Sequence, residues 1–205
     1  MGRPRAMFIA DSIGLDFLNS VATPVDMPLD WLDDGEGLID WLCQAKLAAP
    51  EELDALKARA KPGELDNVAG QARALREWFR GFVRKHAGRP LTVDALSELG
   101  PLNRLMERDE KFTRIEPGPD DGGVLALRTK RRWQSADSLL LPLGEAMAKF
   151  VCDEDLTDVK ACKGHNCTML FADHTRRRAR RWCTMAVCGN RAKQAAHRSR
   201  LRTSP

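Results

Sequence analysis

Six cysteines occur in the 205-residue chain, and four of them stand close together as Cys162, Cys167, Cys183 and Cys188. Their pattern is C-x4-C, fifteen intervening residues, then C-x4-C. Thiolates paired this way suit tetrahedral zinc, because two short knuckles supply two ligands each and no single short loop can wrap the ion. The spacer lets the chain fold back and bring the second pair to the first. Two disulfides are the competing chemistry, and the absence of a secretory signal pattern in the sequence argues against them. Buried free thiols are another, but Lys163, Gly164, His165 and Asn166 between the first pair are poor core material. His165 and His174 lie nearby; four cysteines already close a structural site, so both are set aside. The expectation is one structural Zn2+ on Cys162, Cys167, Cys183 and Cys188, with no open position for catalysis. Cys43 and Cys152 fall in apolar helical patterns and read as core thiols.

Charge gathers in the same region. Residues 161–205 hold two lysines and nine arginines against one acid, Asp173, a net +10. The whole chain is only +4, so the other 160 residues carry −6. Four thiolates and zinc would still leave the tail at about +8. A basic tail on an acidic body points to a polyanion partner. The candidate phosphate contacts are Arg176, Arg177, Arg178, Arg191, Lys193, Arg198 and Arg200. Residues 189–201 read as a helix with Arg191, Arg198 and Arg202 on one side and Lys193, His197 and Arg200 nearly opposite. Its lack of acids favours a nucleic-acid contact over a merely solvated face, which usually mixes signs.

The elements that position this chemistry form a small module. A 45-residue tail cannot build a large core, so metal supplies much of its folding energy. The pattern predicts a knuckle at 162–167, a hairpin with strands at 169–171 and 180–183, and a helix from about Cys188. That order is treble-clef-like, with Phe171, Trp182 and Val187 as the apolar plug.

The rest of the chain reads as a mostly helical domain over residues 1–155, with the boundary at Asp153-Glu154-Asp155. Helices are expected at 11–22 with Asp11 as cap, at about 38–48, from Pro50, from 63 to Gly88, after Thr92 with a break at Gly100-Pro101, and at 135–152. Residues 23–35 read as loop. A change of period at Phe112–Glu116 and Val124–Thr129 marks a hairpin around the loop Pro117–Gly123. Charged residues are 30% and hydrophobic residues 43% of the chain, a globular composition. No apolar run is long enough for a membrane span, so a soluble, cytoplasmic protein is expected. The body holds no nucleophile elbow, H-E-x-x-H or Gly-rich phosphate loop, and His86 is its one histidine. No enzyme is expected. Asn19 is polar within an apolar helix and suits a small-molecule effector site, a cap or a buried hydrogen bond.

The segment Cys162-x4-Cys167-x3-Phe171-x-Asp173, with Arg180-Arg181-Trp182-Cys183-Thr184-Met185-x2-Cys188-Gly189-Asn190-Arg191-x-Lys193, resembles the CGNR zinc finger. Leu15-Asp16-Phe17-Leu18-Asn19-Ser20 resembles the opening of the ABATE domain, which usually precedes that finger. Together they resemble bacterial stress-induced transcription regulators. The resemblance implies zinc on the four cysteines and DNA as the finger's partner. Asp173-His174-Thr175-Arg176 departs from the usual Asp-x-Ser-Arg, and Thr184 replaces a usual Ser; both changes keep a hydroxyl. The expected fold is thus a mainly α domain with a small hairpin over 1–155, then a four-cysteine finger over 156–205. The expected function is a DNA-binding regulator whose helical domain senses a signal or forms a homodimer. A zinc-stabilised protein-interaction module and an RNA-binding accessory protein are the alternatives.

Overall fold

A computed structural model describes residues 3–23, 28–118 and 123–203, with side chains through Arg200. Parts of the two expected loops, Pro24 and 119–122, and the side chain of Arg202 lie outside the described residues.

Apolar residues at helical spacing build the body. In α2 (Gly35–Gln44) the Asp34 carboxylate accepts the Gly37 N–H at 2.7 Å and caps the helix. Leu38, Trp41 and Leu42 of α2 are buried. Helix α3 (Pro50–Arg59) opens on a proline, whose missing N–H has no partner there anyway. The long α4 (Glu64–His86) buries Val68, Ala72, Phe79 and Val83. A 3-10 stretch, Val93–Leu99, runs straight into α5 (Gly100–Met106). Gly100-Pro101 therefore starts a helix where the sequence reading expected an interruption. Helix α6 (Leu140–Asp153) carries Pro142 in its first turn and packs against α1 (Ile13–Leu18), α4 and α5. Phe150 of α6 meets Phe79 of α4 edge-on, with centroids 5.7 Å apart.

Helix α1 is shorter than expected and ends for a physical reason. It spans Ile13–Leu18 with Ser12, not Asp11, at its cap position. Asp11 has φ +63 and bonds Arg180 through its carboxylate. After Leu18 the chain turns, and Val21–Ala22 (β1) pairs antiparallel with Leu29–Asp30 (β2). The Ser20 carbonyl accepts the Trp31 N–H at 2.8 Å. Buried Arg76 grips both Asp30 oxygens, at 2.8 and 2.7 Å, and Ser20 Oγ at 3.0 Å. Those tertiary bonds outweigh the few tenths of a kcal/mol of local helix propensity that favoured continuation.

Residues 3–10 form a strap across the body. Trp31 Nε1 donates to the Pro4 carbonyl, and the Ala6 N–H donates to Gln44 Oε1, both at 2.9 Å. A Cβ on Gly37 would stand 2.4 Å from the Trp31 carbonyl oxygen, so only glycine fits at this close approach. The strap ends on Asp16, whose Oδ1 accepts the N–H groups of Ile9 and Ala10 at 2.9 and 3.0 Å. Burial raises the Asp16 carboxyl to about 6, against the pull of those two bonds. A carboxyl raised above its unfolded value contributes most at low pH, and its contribution is lost as pH rises from its unfolded value to about 6. Thermal melts at pH 4.5 and 7.5 should show that step in the native chain and a flatter profile in Asp16→Asn. An unchanged pH step in the variant would show that another group is responsible.

Three two-stranded antiparallel pairs complete the described residues. In the body, β3 (Lys111–Pro117) and β4 (Leu125–Arg131) form a projecting hairpin. Arg131 anchors its base on Asp109 at 2.6 and 2.8 Å, and both Arg131 and Lys111 reach Glu145 of α6 at 2.9 Å. In the C-terminal module, β5 (Val159–Ala161) pairs with β6 (Leu170–Ala172), and α7 spans Asn190–Thr203. The fold is mainly α with small antiparallel pairs, followed by a four-cysteine module.

Candidate metal centre and its basic surface

The four cysteine sulfurs converge to within 4.8 Å of one another. Cys183 and Cys188 sulfurs are 3.5 Å apart, and those of Cys167 and Cys183 are 3.9 Å apart. A tetrahedron with Zn–S bonds of ~2.3 Å has edges of ~3.8 Å, so the donor set fits one structural zinc ion. Two backbone N–H groups, of Gly164 at 3.4 Å and Cys183 at 3.2 Å, donate to the Cys162 sulfur. Such bonds orient a thiolate and offset its charge. Sharing with Cys183 lowers the Cys167 thiol to about 5, burial pushes Cys188 up to about 12, and bonding to Cys167 drives Cys183 up. A divalent ion lets all four ionise and expels their protons. His174 Nε2 lies 2.7 Å from Glu154, and His165 is exposed, in keeping with a shell of cysteines alone.

The knuckle lies at 162–167 as expected, but the hairpin is built around it and not after it. Cys162 to Cys167 form the turn between β5 and β6, with Asn166 at φ +57. The expected second strand at 180–183 is not one. Its residues run beside the knuckle, with the Lys163 N–H on the Arg181 carbonyl at 2.9 Å. The cause is Asp173, the one acid among the cations of residues 161–205. It is fully buried and accepts from Lys160 Nζ at 2.6 Å, Thr175 Oγ1 at 2.6 Å and the Arg180 N–H at 2.9 Å. Burial opposes its ionisation, yet the Lys160 ammonium and these donors hold its carboxyl well below the usual range. The 173–180 segment wraps round this carboxylate and cannot pair as a strand.

Hydrogen bonds from several elements join the module to the body. The Ala172 N–H donates to the Ala10 carbonyl at 3.0 Å. Arg180 covers Phe171 at 4.3 Å and donates to the carbonyls of Ile9, at 3.0 Å, and Cys183. Asn19, 1% exposed, gives its amide to Leu170: Nδ2 donates to the carbonyl at 2.8 Å and Oδ1 accepts the N–H at 2.9 Å. Of the readings left open for Asn19, the geometry supplies the buried hydrogen bond. Asn19→Ala would leave both Leu170 groups unpaired, a loss of about 2–4 kcal/mol. Denaturant titration should read that loss; an unchanged midpoint would return Asn19 to the effector reading. Sequence reasoning missed Arg180 and Lys160 as organisers, because one more cation in a basic tail carries no signal of its own.

The expected nucleic-acid contacts fall into three groups. Arg176, Arg177, Arg191, Lys193 and Arg198 are exposed, and none has an ion pair among the described residues. Arg178 is held instead, with φ +46 and its guanidinium on Asp158 at 2.7 Å. Arg200 is exposed but makes a contact of its own. Arg191 and Arg198 line one side of a 470 Å3 groove that Lys163 and His165 border from the knuckle. Lys193 lies 200° round the helix from Arg191 at 100° per residue.

A family model described as "ABATE: Putative stress-induced transcription regulator" matches residues 11–154. A second, described as "CGNR zinc finger", matches residues 159–201. No curated protein matches the chain.

Proposed function

The chain belongs to the ABATE family and carries a CGNR zinc finger, and from that premise we propose that it is a cytoplasmic DNA-binding transcription regulator and not an enzyme. One observation carries the reading. Zinc and Asp173 fix a scaffold from which five arginine and lysine side chains project into water without a carboxylate partner among the described residues. A basic helix with cations on opposite sides suits a DNA groove, where it can meet phosphates of both flanking strands. Lys163 beside Arg191 and Arg198 adds a cation from the knuckle to one wall of that site.

The helical body then carries whatever signal the protein answers. It touches the finger through Ala10, Asn19 and the Ile9 carbonyl, so a change at α1 or the strap reaches the zinc module directly. A 370 Å3 cavity between α1 and α6, lined by Ser12, Lys46, Glu145 and Lys149 among others, is the candidate effector pocket. No helix of the described residues is long and apolar enough to cross a membrane. Mobility shift with the full zinc-loaded chain and duplex DNA, in parallel with single-stranded RNA and an acidic peptide, tests the partner. Duplex binding supports the reading. Preference for RNA or the peptide moves it to one of the alternatives.

A further inference from the structure

Beyond its base, one face of the β3–β4 hairpin packs against no other element among the described residues. Side chains alternate along a strand, so Thr113, Ile115 and Pro117 share a face with Leu125, Leu127 and Thr129, their register partners. Ile115, Leu125 and Leu127 are 67%, 72% and 71% exposed, and Val124, one residue before β4, is 67% exposed. The other exposed large apolar side chains among the described residues are Val93, Leu96 and Met185. Scattered apolar residues on a surface are ordinary, whereas three gathered on one face of a hairpin, with a fourth next to them in sequence, mark an interaction surface. The face is uncharged except at its base, where Lys111 and Arg131 are answered by Asp109 and Glu145. On the reverse face Arg114 stands directly across from Arg128. Both are exposed and neither has an ion pair among the described residues.

We propose that the apolar face is a homodimer interface, on which two copies of this chain stack their hairpins about a two-fold axis. Charge selects the occupant and the face together. The uncharged side does not repel its own copy, whereas the reverse carries Arg114, Arg128 and Lys130 against the single acid Glu116, a net positive face. A charged partner would find nothing on the apolar side to answer it. The Ile115–Leu127 pair presents the same outline from each copy, as an isologous contact requires. The aliphatic side chains with their threonine and proline neighbours offer roughly 500–600 Å2 per chain, and the open strand edges extend this toward the ~800 Å2 of a stable interface. The dimer does not depend on what the finger binds.

Sedimentation velocity of the full zinc-loaded chain, up to about 100 µM, tests it. A particle of twice the 22.9 kDa chain mass is expected. Ile115→Asp with Leu127→Asp should halve that mass while the far-ultraviolet circular dichroism keeps its native helical signal, because both side chains face water in the single chain. Arg114→Asp with Arg128→Asp, on the reverse face, should remain dimeric. A native chain that stays monomeric, or an aspartate variant that stays dimeric, overturns the proposal. Should that variant fail to fold, Leu127→Cys and Arg128→Cys, each in a Cys152→Ser background, give a second reading with a short bis-maleimide. Crosslinking from 127 and not 128 supports the interface; equal crosslinking or none overturns it.

Discussion

Stripping the zinc, by chelator or by Cys183→Ser, should unfold the C-terminal module and take metal content from one per chain to none. Structural zinc is worth about 10–16 kcal/mol to modules of this kind, more than any side chain here can supply. Little else holds the module together. Its apolar interior is Leu156, Val159, Met169, Phe171 and Ala172 with Cys162, Cys183 and Cys188, and a segment this small buries too little surface to fold on hydrophobic burial alone. The geometry adds a second consequence. Phe171 is buried against the body, Ala172 bonds Ala10, and Leu170 bonds Asn19, so losing the module uncovers α1 and leaves the Asn19 amide in search of partners. A deficit of about 3 kcal/mol from those groups corresponds to a drop on the order of 10 °C in the body's melting point. Far-ultraviolet circular dichroism should therefore keep most of its helical signal after chelation but lose it at a lower temperature. Metal analysis of protein purified under reducing conditions checks the first half, and melting with and without chelator checks the second. Zinc-free protein with an intact melt would remove the metal from the account of this fold.

The metal centre was legible because its signal is one of type and spacing. Four cysteines in two knuckles specify their chemistry whatever the chain does between them. The helices of the body were legible for a similar reason: α2, α3 and α4 carry local stop and start signals in Asp34, Pro50 and Gly63, and their apolar periodicity is long. What was not legible rests on tertiary partners. Leu18 to Ala22 continues an apolar helical pattern, and only Arg76, Asp30 and Trp31, distant in sequence, pull it into β1. Residues 180–183 have the composition of a strand, but Asp173 gathers the chain before them into a turn. The true partner of β6 lies ahead of the first cysteine, in Val159–Ala161, where three ordinary residues gave no hint of pairing. Asn19 was conspicuous as a polar residue in an apolar stretch, yet its partner is 151 residues away. The strap over 3–10 had no periodicity to read, since its bonds run to Gln44, Trp31 and Asp16.

Duplex DNA affinity should fall steeply with salt, and the slope should count the cations that the fold leaves available. Each phosphate neutralised releases condensed counterions and contributes about −0.9 to the log–log slope. Arg176, Arg177, Arg191, Lys193 and Arg198 would together give about −4.5, a loss of roughly 500-fold between 50 and 200 mM salt. Arg198→Ala, on the groove shared with Lys163 and Arg191, should bring the slope to about −3.6 and weaken binding to every sequence alike. Arg178→Ala makes the contrast. Its guanidinium already holds Asp158 and the Asp173 carbonyl, so its removal should lower the stability of the 173–180 turn and change the slope less than Arg198→Ala does. A flat salt response would mean that the finger binds through something other than phosphates. A slope that Arg178→Ala alters and Arg198→Ala does not would place the contact on the turn and leave helix α7 outside it. A loss of discrimination at one base pair, with the slope kept, would instead mark the altered residue as one that reads a base edge.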